Sequence, residues 1–255
     1  MSSSHGSYKS VDGINLKVVR AEQHLNALKD EMGKYYRAAD ANPSVVRIED
    51  MGELWSFTLG EVLEPPMILS AIVGDCATNL RAPLDYIARA LHESVAGPLG
   101  IDAISPTFPI YTDETNFQRN TRLADLHIPA TALAEVKAVQ PFASNAGYEP
   151  LAFLHALTNR DKHRLPLLTM IFGGHAFARL MIGGQGGEAV TSLSFAKWSF
   201  PEGWTPSRMD MDIELAGIIA FCDPGMPREP IDVTLQNILV TVRDRVVPRF
   251  LPFIT

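Results

Sequence analysis

The chain has 255 residues, of which 46% are hydrophobic and 20% are charged, which is enough to bury a sizeable core. Its net charge of −7 argues against a broad nucleic-acid-binding surface, because such a surface requires a basic face. No apolar run is long enough to span a bilayer, and the first residues lack the apolar core of a signal peptide, so a cytoplasmic protein without a membrane segment is expected.

The order of the sequence patterns predicts an α+β fold. We expect residues 1–10 to form a flexible tail and residues 11–255 to form a single α+β domain. Its helices lie mainly in 11–40, 66–164 and 230–250, and its strands lie in 44–61 and 167–221. Long amphipathic helices would therefore pack against a mostly antiparallel sheet. The two cysteines, Cys76 and Cys222, are expected to be buried thiols in a reducing compartment.

The first helix carries an apolar stripe with alternating gaps of four and three residues, which is a heptad pattern. Such a stripe packs inside the protein or against a second copy of the chain. A homo-oligomer formed through the helix at 14–35 is therefore possible. After this helix, strands at 44–50 and 53–61 around Met51 and Gly52 predict a hairpin. The residues of the stripe are Ile14, Val18, Ala21, Leu25, Leu28, Met32 and Tyr35.

A second long helix is predicted over residues 67–95, with an apolar face and an opposite side that includes Asn79, Arg81 and Asp85. Pro83 lies in its middle, so the carbonyl of Asn79 loses its helical partner and a kink is expected there. Residues 97–129 then form an irregular connection with the tripeptide FPI at 108–110 and a short helix near 113–121.

After a short helix at 131–139, a further helix begins at Pro150 and is ended by Pro166. His155, Asn159 and His163 follow one another at intervals of four residues, so each can meet the next on one side of this helix. The cations at its end also suit the negative end of the helix dipole and need no ligand.

The remaining sequence has strand patterns and one closing helix. Gly173 and Gly174 between two apolar runs predict a hairpin. A strand at 209–221 places Asp210, Asp212 and Glu214 on one face, where solvent is their expected neighbour. An amphipathic helix at 231–246 then closes the chain.

Several blocks of the sequence together resemble a family of bacterial proteins of similar length. They are RAEQHLNAL at 20–28, NLRAPLDY at 79–86, FPI at 108–110, QPF at 140–142 and LHALTNRDKHR at 154–164. The resemblance covers nearly the whole chain but implies no activity. Its members often carry a histidine where this chain has Thr78, and a small residue where it has Pro83.

HEPN-type ribonucleases carry an Arg-x(4–6)-His signature on a helix, and this chain has one literal match to it. Arg122 and His127 match that spacing but lie in a predicted loop, so we treat the match as chance. Arg160 and His163 are separated by only two residues and do not match it.

The first functional hypothesis is a hydrolase or nucleic-acid-cleaving enzyme with a polar site between the two long polar helices. His155, Asn159, His163 and Asp85 would be catalytic, because a histidine needs an amide or carboxylate that orients it to act as a general base. A small anionic ligand such as phosphate would be bound by a second set of residues. No cofactor can be named, and one metal ion shared by His155 and His163 is disfavoured, because eight helical residues span about 12 Å. The binding set comprises Asn79, Arg81, Arg160 and Lys162.

The second hypothesis is a non-enzymatic ligand-binding or scaffold protein. In it the block NRDKHR forms a structural lock of ion pairs and hydrogen bonds. Asp85 would pair with Arg160 or Arg164, and Asn159 would bond the carbonyl freed by Pro83. Buried polar groups normally satisfy one another in this way, so this hypothesis is favoured for most of these residues.

Overall fold

The computed structural model describes residues 10–41, 47–50, 54–58, 64–100, 105–119, 127–143, 147–182, 185–192, 198–199 and 208–254. Apart from Ser10, the predicted tail lies outside the described residues, as does Arg122. The described part is rich in helices and has antiparallel strands. The helices are α1 (Ser10–Ala41), α2 (Met67–Ala96), α3 (Glu114–Arg119), α4 (Ala130–Ala138), α5 (Glu149–Asp161), α6 (Ile231–Val240) and α7 (Val247–Ile254), with a π-helical turn at Thr241–Val246. The strands are β1 (Arg47–Asp50), β2 (Leu54–Thr58), β3 (Leu168–Ile182), β4 (Gln185–Ser192), β5 (Trp198–Ser199) and β6 (Arg208–Phe221).

Helix α1 packs along α2 within the same chain and buries its apolar stripe. The seven stripe residues, from Ile14 to Tyr35, are also the buried residues of α1 wherever its side chains are described. That face is therefore covered by the chain itself. An oligomer formed through α1 would have to use the other side of the helix, where Leu16 and Val19 are exposed.

Helix α2 runs without interruption through Pro83, which is itself buried. Its buried face includes Leu80, Leu84 and Ile87, as the apolar periodicity predicts. Cys76 is also buried, which confirms that part of the cysteine prediction. Removal from water, and to a lesser degree the charge of Asp75, raises the pKa of the Cys76 thiol to about 12.

The strands form two separate antiparallel sheets, with the orders β1-β2-β5 and β4-β3-β6. The predicted hairpin of β1 and β2 is confirmed, with Ile48 paired to Phe57. The predicted hairpin at Gly173 and Gly174 is wrong. Both glycines continue β3, where they pair with Ala216 and Leu215 of β6. A two-residue hairpin would need a reversal at this point, whereas the long pairing of β3 with β6 keeps the backbone extended.

The side chains of residues 171–217 lie outside the described part, and at the end of β4-β3-β6 where side chains are described the helices pack against the sheet. Most helices pack on one another, and the end of β6 joins their core through Ile219 and Phe221. There the N–H of Ile219 donates to the Tyr36 hydroxyl oxygen of α1 over 3.0 Å. The second cysteine prediction is wrong, because Cys222 is exposed. Strand β6 ends at Phe221, and Cys222 already belongs to the turn that follows.

None of the helices in the described part of the chain combines the length and the apolar character needed to cross a bilayer.

Candidate functional site

Helix α5 ends at Asp161, earlier than the sequence suggested, and this changes the position of His163. The N–H groups of His163 and Arg164 both donate to the carbonyl of Arg160, each over 2.8 Å, which closes the helix in a tight turn. Pro166 keeps Leu165 out of the helical region, so the helix cannot continue past this turn. His163 therefore does not continue the helical row of His155 and Asn159. Its side chain is exposed, and no hydrogen bond or ion pair joins it to another described residue.

His155 and Asn159 do form a pair, one turn apart on α5. The Nδ2 of Asn159 lies 2.9 Å from the Nε2 of His155, and both residues are exposed. With the amide as donor, the imidazole is neutral and carries its proton on Nδ1. Partial burial of the ring lowers the pKa of His155, and the positive charges of Arg81 and Lys162 lower it further. The charge of Arg81 thus acts on His155 from across the contact between α2 and α5.

Arg81 and Asp85 bind one backbone segment from both sides. Arg81 donates to Asp85 from Nε over 3.3 Å and forms an ion pair from Nη2 over 3.0 Å. The same Nη2 donates to the carbonyl of Phe108, and the N–H of Phe108 donates to Asp85 Oδ1 over 2.9 Å. Both backbone polar groups of Phe108 are therefore satisfied by this pair. The Nη1 of Arg81 is buried and has no hydrogen-bond partner in the part of the chain that the structure describes.

Gln140 binds the next residues of the same segment. It is fully buried, accepts from the N–H of Tyr111 over 2.9 Å, and donates to the carbonyl of Pro109 over 3.1 Å. We call Arg81, Asp85 and Gln140, together with the backbone of segment 108–111, the segment clamp. It joins residues of the blocks NLRAPLDY, FPI and QPF in one hydrogen-bond network. Buried amides without partners are costly, and the clamp gives these their partners.

Asn79 lies on a different side of α2 from Arg81. Its Nδ2 donates to the carbonyl of Asp75 over 2.8 Å, and its Oδ1 accepts from Lys17 of α1 over 3.3 Å. Two residues correspond to about 200° of rotation around a helix, so Asn79 and Arg81 point to nearly opposite sides. Asn79 therefore forms a hydrogen bond between α2 and α1 and does not face His155.

Arg160 and Arg164 converge on Asp223, which lies just before Pro224 and Gly225 in the turn after β6. Asp223 Oδ1 lies 2.5 Å from Arg164 Nη2 and 3.8 Å from Arg160 Nε, and the carboxylate is completely buried. Its Oδ2 accepts from the N–H of Leu167 over 3.0 Å. We call Arg160, Arg164 and Asp223 the Asp223 cluster. The expected pairing of Asp85 with Arg160 or Arg164 is wrong, because Asp85 is engaged in the segment clamp.

The Asp223 cluster links the end of α5 to one end of the β3–β6 pair, where the start of β3 lies beside the end of β6. Arg160 Nη2 also donates to the carbonyl of Pro224 over 2.6 Å, while its Nη1 is buried and has no hydrogen-bond partner among the described residues. Cys222 N–H donates to the carbonyl of Leu167 over 2.9 Å. Asp223 was overlooked because Asp-Pro-Gly is a common turn sequence. Its only distinguishing signal was its position directly after a long apolar strand.

The predicted site is thus divided among four places. His155 and Asn159 remain on the exposed side of α5, with Lys162 at its end, and the charge of Arg81 acts on His155. Asp85 belongs to the segment clamp, Arg160 to the Asp223 cluster, and Asn79 to the contact with α1. Among the residues that the structure describes, no three or more His, Cys, Asp or Glu side chains come together as a metal site. The expected bond from Asn159 to the carbonyl of Asn79 is wrong, since that amide binds His155.

Comparisons of the chain with protein-family models, with curated proteins and with solved structures found no match. The resemblance to a bacterial family gains no support from them, so the function is inferred from the residues of the chain.

Proposed function

We propose that the protein is a non-enzymatic ligand-binding or scaffold protein, organised as one α+β domain, in which the polar blocks of the sequence fix the fold. The observation that carries this proposal is the use of Arg81 and Asp85. Both side chains form hydrogen bonds with the backbone of Phe108, Arg81 with its C=O group and Asp85 with its N–H group. A carboxylate held in this way by an arginine and an amide has few lone pairs left for catalysis.

The Asp223 cluster supports the same proposal for the block NRDKHR. Two arginines of that block bind a buried carboxylate whose second oxygen accepts a backbone N–H. Removing one partner of such a group would leave an uncompensated charge in the interior. We therefore assign Arg160 and Arg164 to folding and not to a ligand.

The exposed pair of His155 and Asn159, with Lys162, is the surface that we propose for a small anionic ligand. Helical spacing brings Lys162 to the side of His155, because seven residues are close to two turns. Two positive charges already disfavour a proton on His155, so an anion bound there would relieve that repulsion. Neither the segment clamp nor the Asp223 cluster uses these three side chains.

A titration followed by nuclear magnetic resonance tests the ligand surface. Inorganic phosphate and a nucleoside monophosphate are added to the wild type, His155→Ala and Asn159→Ala, with His163→Ala as the matched control. We expect shifts of amide signals near residue 155 in the wild type and in the control, and much smaller shifts in the other two. Equal responses in all four proteins would refute the ligand surface, while the structural role of the clamp would stand.

The second candidate is a hydrolase that cleaves phosphate esters, and the His155–Asn159 contact is the observation that favours it. If the amide is turned so that its oxygen accepts from Nε2–H, Nδ1 of His155 is left as a free base. The cations would then hold the phosphate group. In contrast to the first hypothesis from the sequence, this arrangement uses neither Asp85 nor His163.

Hydrolysis assays separate the two candidates. Wild type and His155→Ala are incubated with a nitrophenyl phosphodiester and with a short single-stranded RNA. A loss of about 100-fold or more in rate for His155→Ala would favour the enzyme, since general bases contribute on this scale. The ligand-binding proposal predicts no hydrolysis above the buffer rate in either protein.

A further inference from the structure

Two histidines from distant parts of the sequence meet beside the C-terminal half of α2. His92 of α2 and His127, which precedes α4, have ring centroids 5.7 Å apart and ring planes inclined by 23°. His92 is half-buried and His127 is exposed. Neither residue belongs to the segment clamp, to the Asp223 cluster or to the surface around His155.

The backbone of His127 is held in a conformation that side chains seldom adopt. Its φ is 46°, and it is the one non-glycine residue with a positive φ in the described part of the chain. Such a conformation is unfavourable for a residue with a side chain, and it tends to persist at sites that bind or act. This observation is independent of the ring contact, and it points to the same residue.

The separation of the two rings matches that of two imidazoles bound to one ion. With each nitrogen about 2.1 Å from the ion, ring centres lie about 5–6 Å apart at ordinary ligand angles. We propose that His92 and His127 form a binding site for a divalent transition-metal ion of the kind that imidazole prefers, namely Zn²⁺, Ni²⁺ or Cu²⁺.

The rest of the coordination would come from water. No described group of three or more potential ligand side chains surrounds one point, so the protein supplies two nitrogens to the ion. Arg89, one turn before His92, pairs with Glu93 over 2.9 Å, so its charge is largely offset. An ion bound in this way keeps open positions and holds the segment before α4 against α2.

Calorimetric titration with Ni²⁺ and Zn²⁺ tests the proposal on protein without a histidine tag. The variants are His92→Gln and His127→Asn, with His163→Gln as the control on an exposed histidine. Asparagine tolerates a positive φ, so His127→Asn keeps the backbone conformation while it removes the ring. We expect one ion per wild-type chain, at least about tenfold weaker binding in each of the two variants, and unchanged binding in the control.

Thermal unfolding without metal and electron paramagnetic resonance of bound Cu²⁺ complete the test. We expect two coordinated nitrogens in the wild type and one in each variant, with metal-free stabilities close to that of the wild type. Absence of binding to the wild type would overturn the proposal. The same holds if both variants bind as tightly as the wild type, or if His163→Gln loses as much affinity as they do. In each of those cases the ring contact would be a stacking contact only.

Discussion

The carboxylate of Asp161, the last residue of α5, lies directly against Gly74 of α2. A methyl group at position 74 would overlap the Oδ1 and Cγ atoms of Asp161. Burial raises the pKa of Asp161, and the neighbouring charge of Asp75 raises it further. The absence of a side chain at position 74 therefore allows α5 to approach α2, and this approach brings His155 within the influence of Arg81.

Gly74→Ala should destabilise the protein although alanine is the better helix former. The intrinsic gain of about 1 kcal/mol is outweighed by displacement of a half-buried carboxylate and its helix, so we expect a net loss of about 1–2 kcal/mol in urea unfolding. Gly33→Ala in α1 is the matched control, because an added Cβ there meets only Arg37 Nη1, at 3.4 Å. It should raise stability slightly. A gain of equal size at both positions would show that the close approach does not constrain the fold.

Asp161→Asn should stabilise the protein at neutral pH. The pKa of Asp161 is raised in the folded state, so the unfolded chain releases its proton more readily. The charged carboxylate therefore lowers stability above the folded pKa, and this loss disappears as the pH falls through the folded and then the unfolded pKa. Unfolding curves between about pH 7 and about pH 3 should converge for wild type and variant at the acidic end. Greater stability of the wild type at neutral pH would contradict the stated cause.

The positions of the helices and of Cys76 could be predicted because each depends on local apolar periodicity. The seven stripe residues of α1 are buried because their spacing of 3.5 residues matches one face of a helix. The hairpin of β1 and β2 likewise depends on neighbouring residues. By contrast, Gly173 and Gly174 suggest a turn locally, and only their pairing with residues more than forty positions away keeps them extended.

The site was less predictable because its partners lie far apart in the sequence. Arg164 and Asp223 are separated by 59 positions, and Asp85 and Phe108 by 23. Helical spacing correctly paired His155 with Asn159, since that contact is made within one turn. It failed for His163, because the helix already ends at Asp161 and the following turn closes on Arg160.

Asp223→Ala should be among the most damaging substitutions outside the apolar core. It leaves two arginines near the interior and removes the acceptor of the Leu167 N–H, so we expect a loss of about 2–4 kcal/mol. Glu135→Ala is the control, because it breaks an exposed ion pair with Arg249 and should cost less than about 1 kcal/mol. Chemical denaturation measures both. Similar costs for the two variants would mean that the Asp223 cluster contributes no more than a surface pair.

The segment clamp predicts a residue-specific pattern of amide hydrogen exchange. The N–H groups of Phe108 and Tyr111 should both exchange slowly, because Asp85 and Gln140 accept from them. Asp85→Ala should speed the exchange of Phe108 by about tenfold or more, and Gln140→Ala should do the same for Tyr111. Each variant should affect its own amide more strongly than the other. Uniform acceleration at both amides in either variant would mean that the segment opens as one unit.

His155 should make the protein less stable in mild acid, and His155→Gln should remove that contribution. Its pKa is lowered from the ordinary value of about 6.5, first by burial and then by Arg81 and Lys162. The unfolded chain therefore takes up the proton at a higher pH than the folded protein does. The contribution of neutral His155 to the stability of the folded protein is complete above about pH 6.5. It is lost as the pH falls towards the pKa of His155 in the folded state.

Urea unfolding of wild type, His155→Gln and His163→Gln at several values from about pH 8 to about pH 5 measures this effect. The difference in free energy of unfolding between wild type and His155→Gln should be constant at the alkaline end. Below about pH 6.5 the wild type should lose stability relative to the variant. His163→Gln is the control for removing an exposed histidine, because no hydrogen bond or ion pair joins its side chain to another described residue. Saturating phosphate should reduce the acid sensitivity of the wild type alone, since an anion beside His155 would offset the two cations that disfavour its protonation. An unchanged pH profile in phosphate would refute the proposed anion site. The lowering of the pKa of His155 by burial and by the two cations would be unaffected by that result.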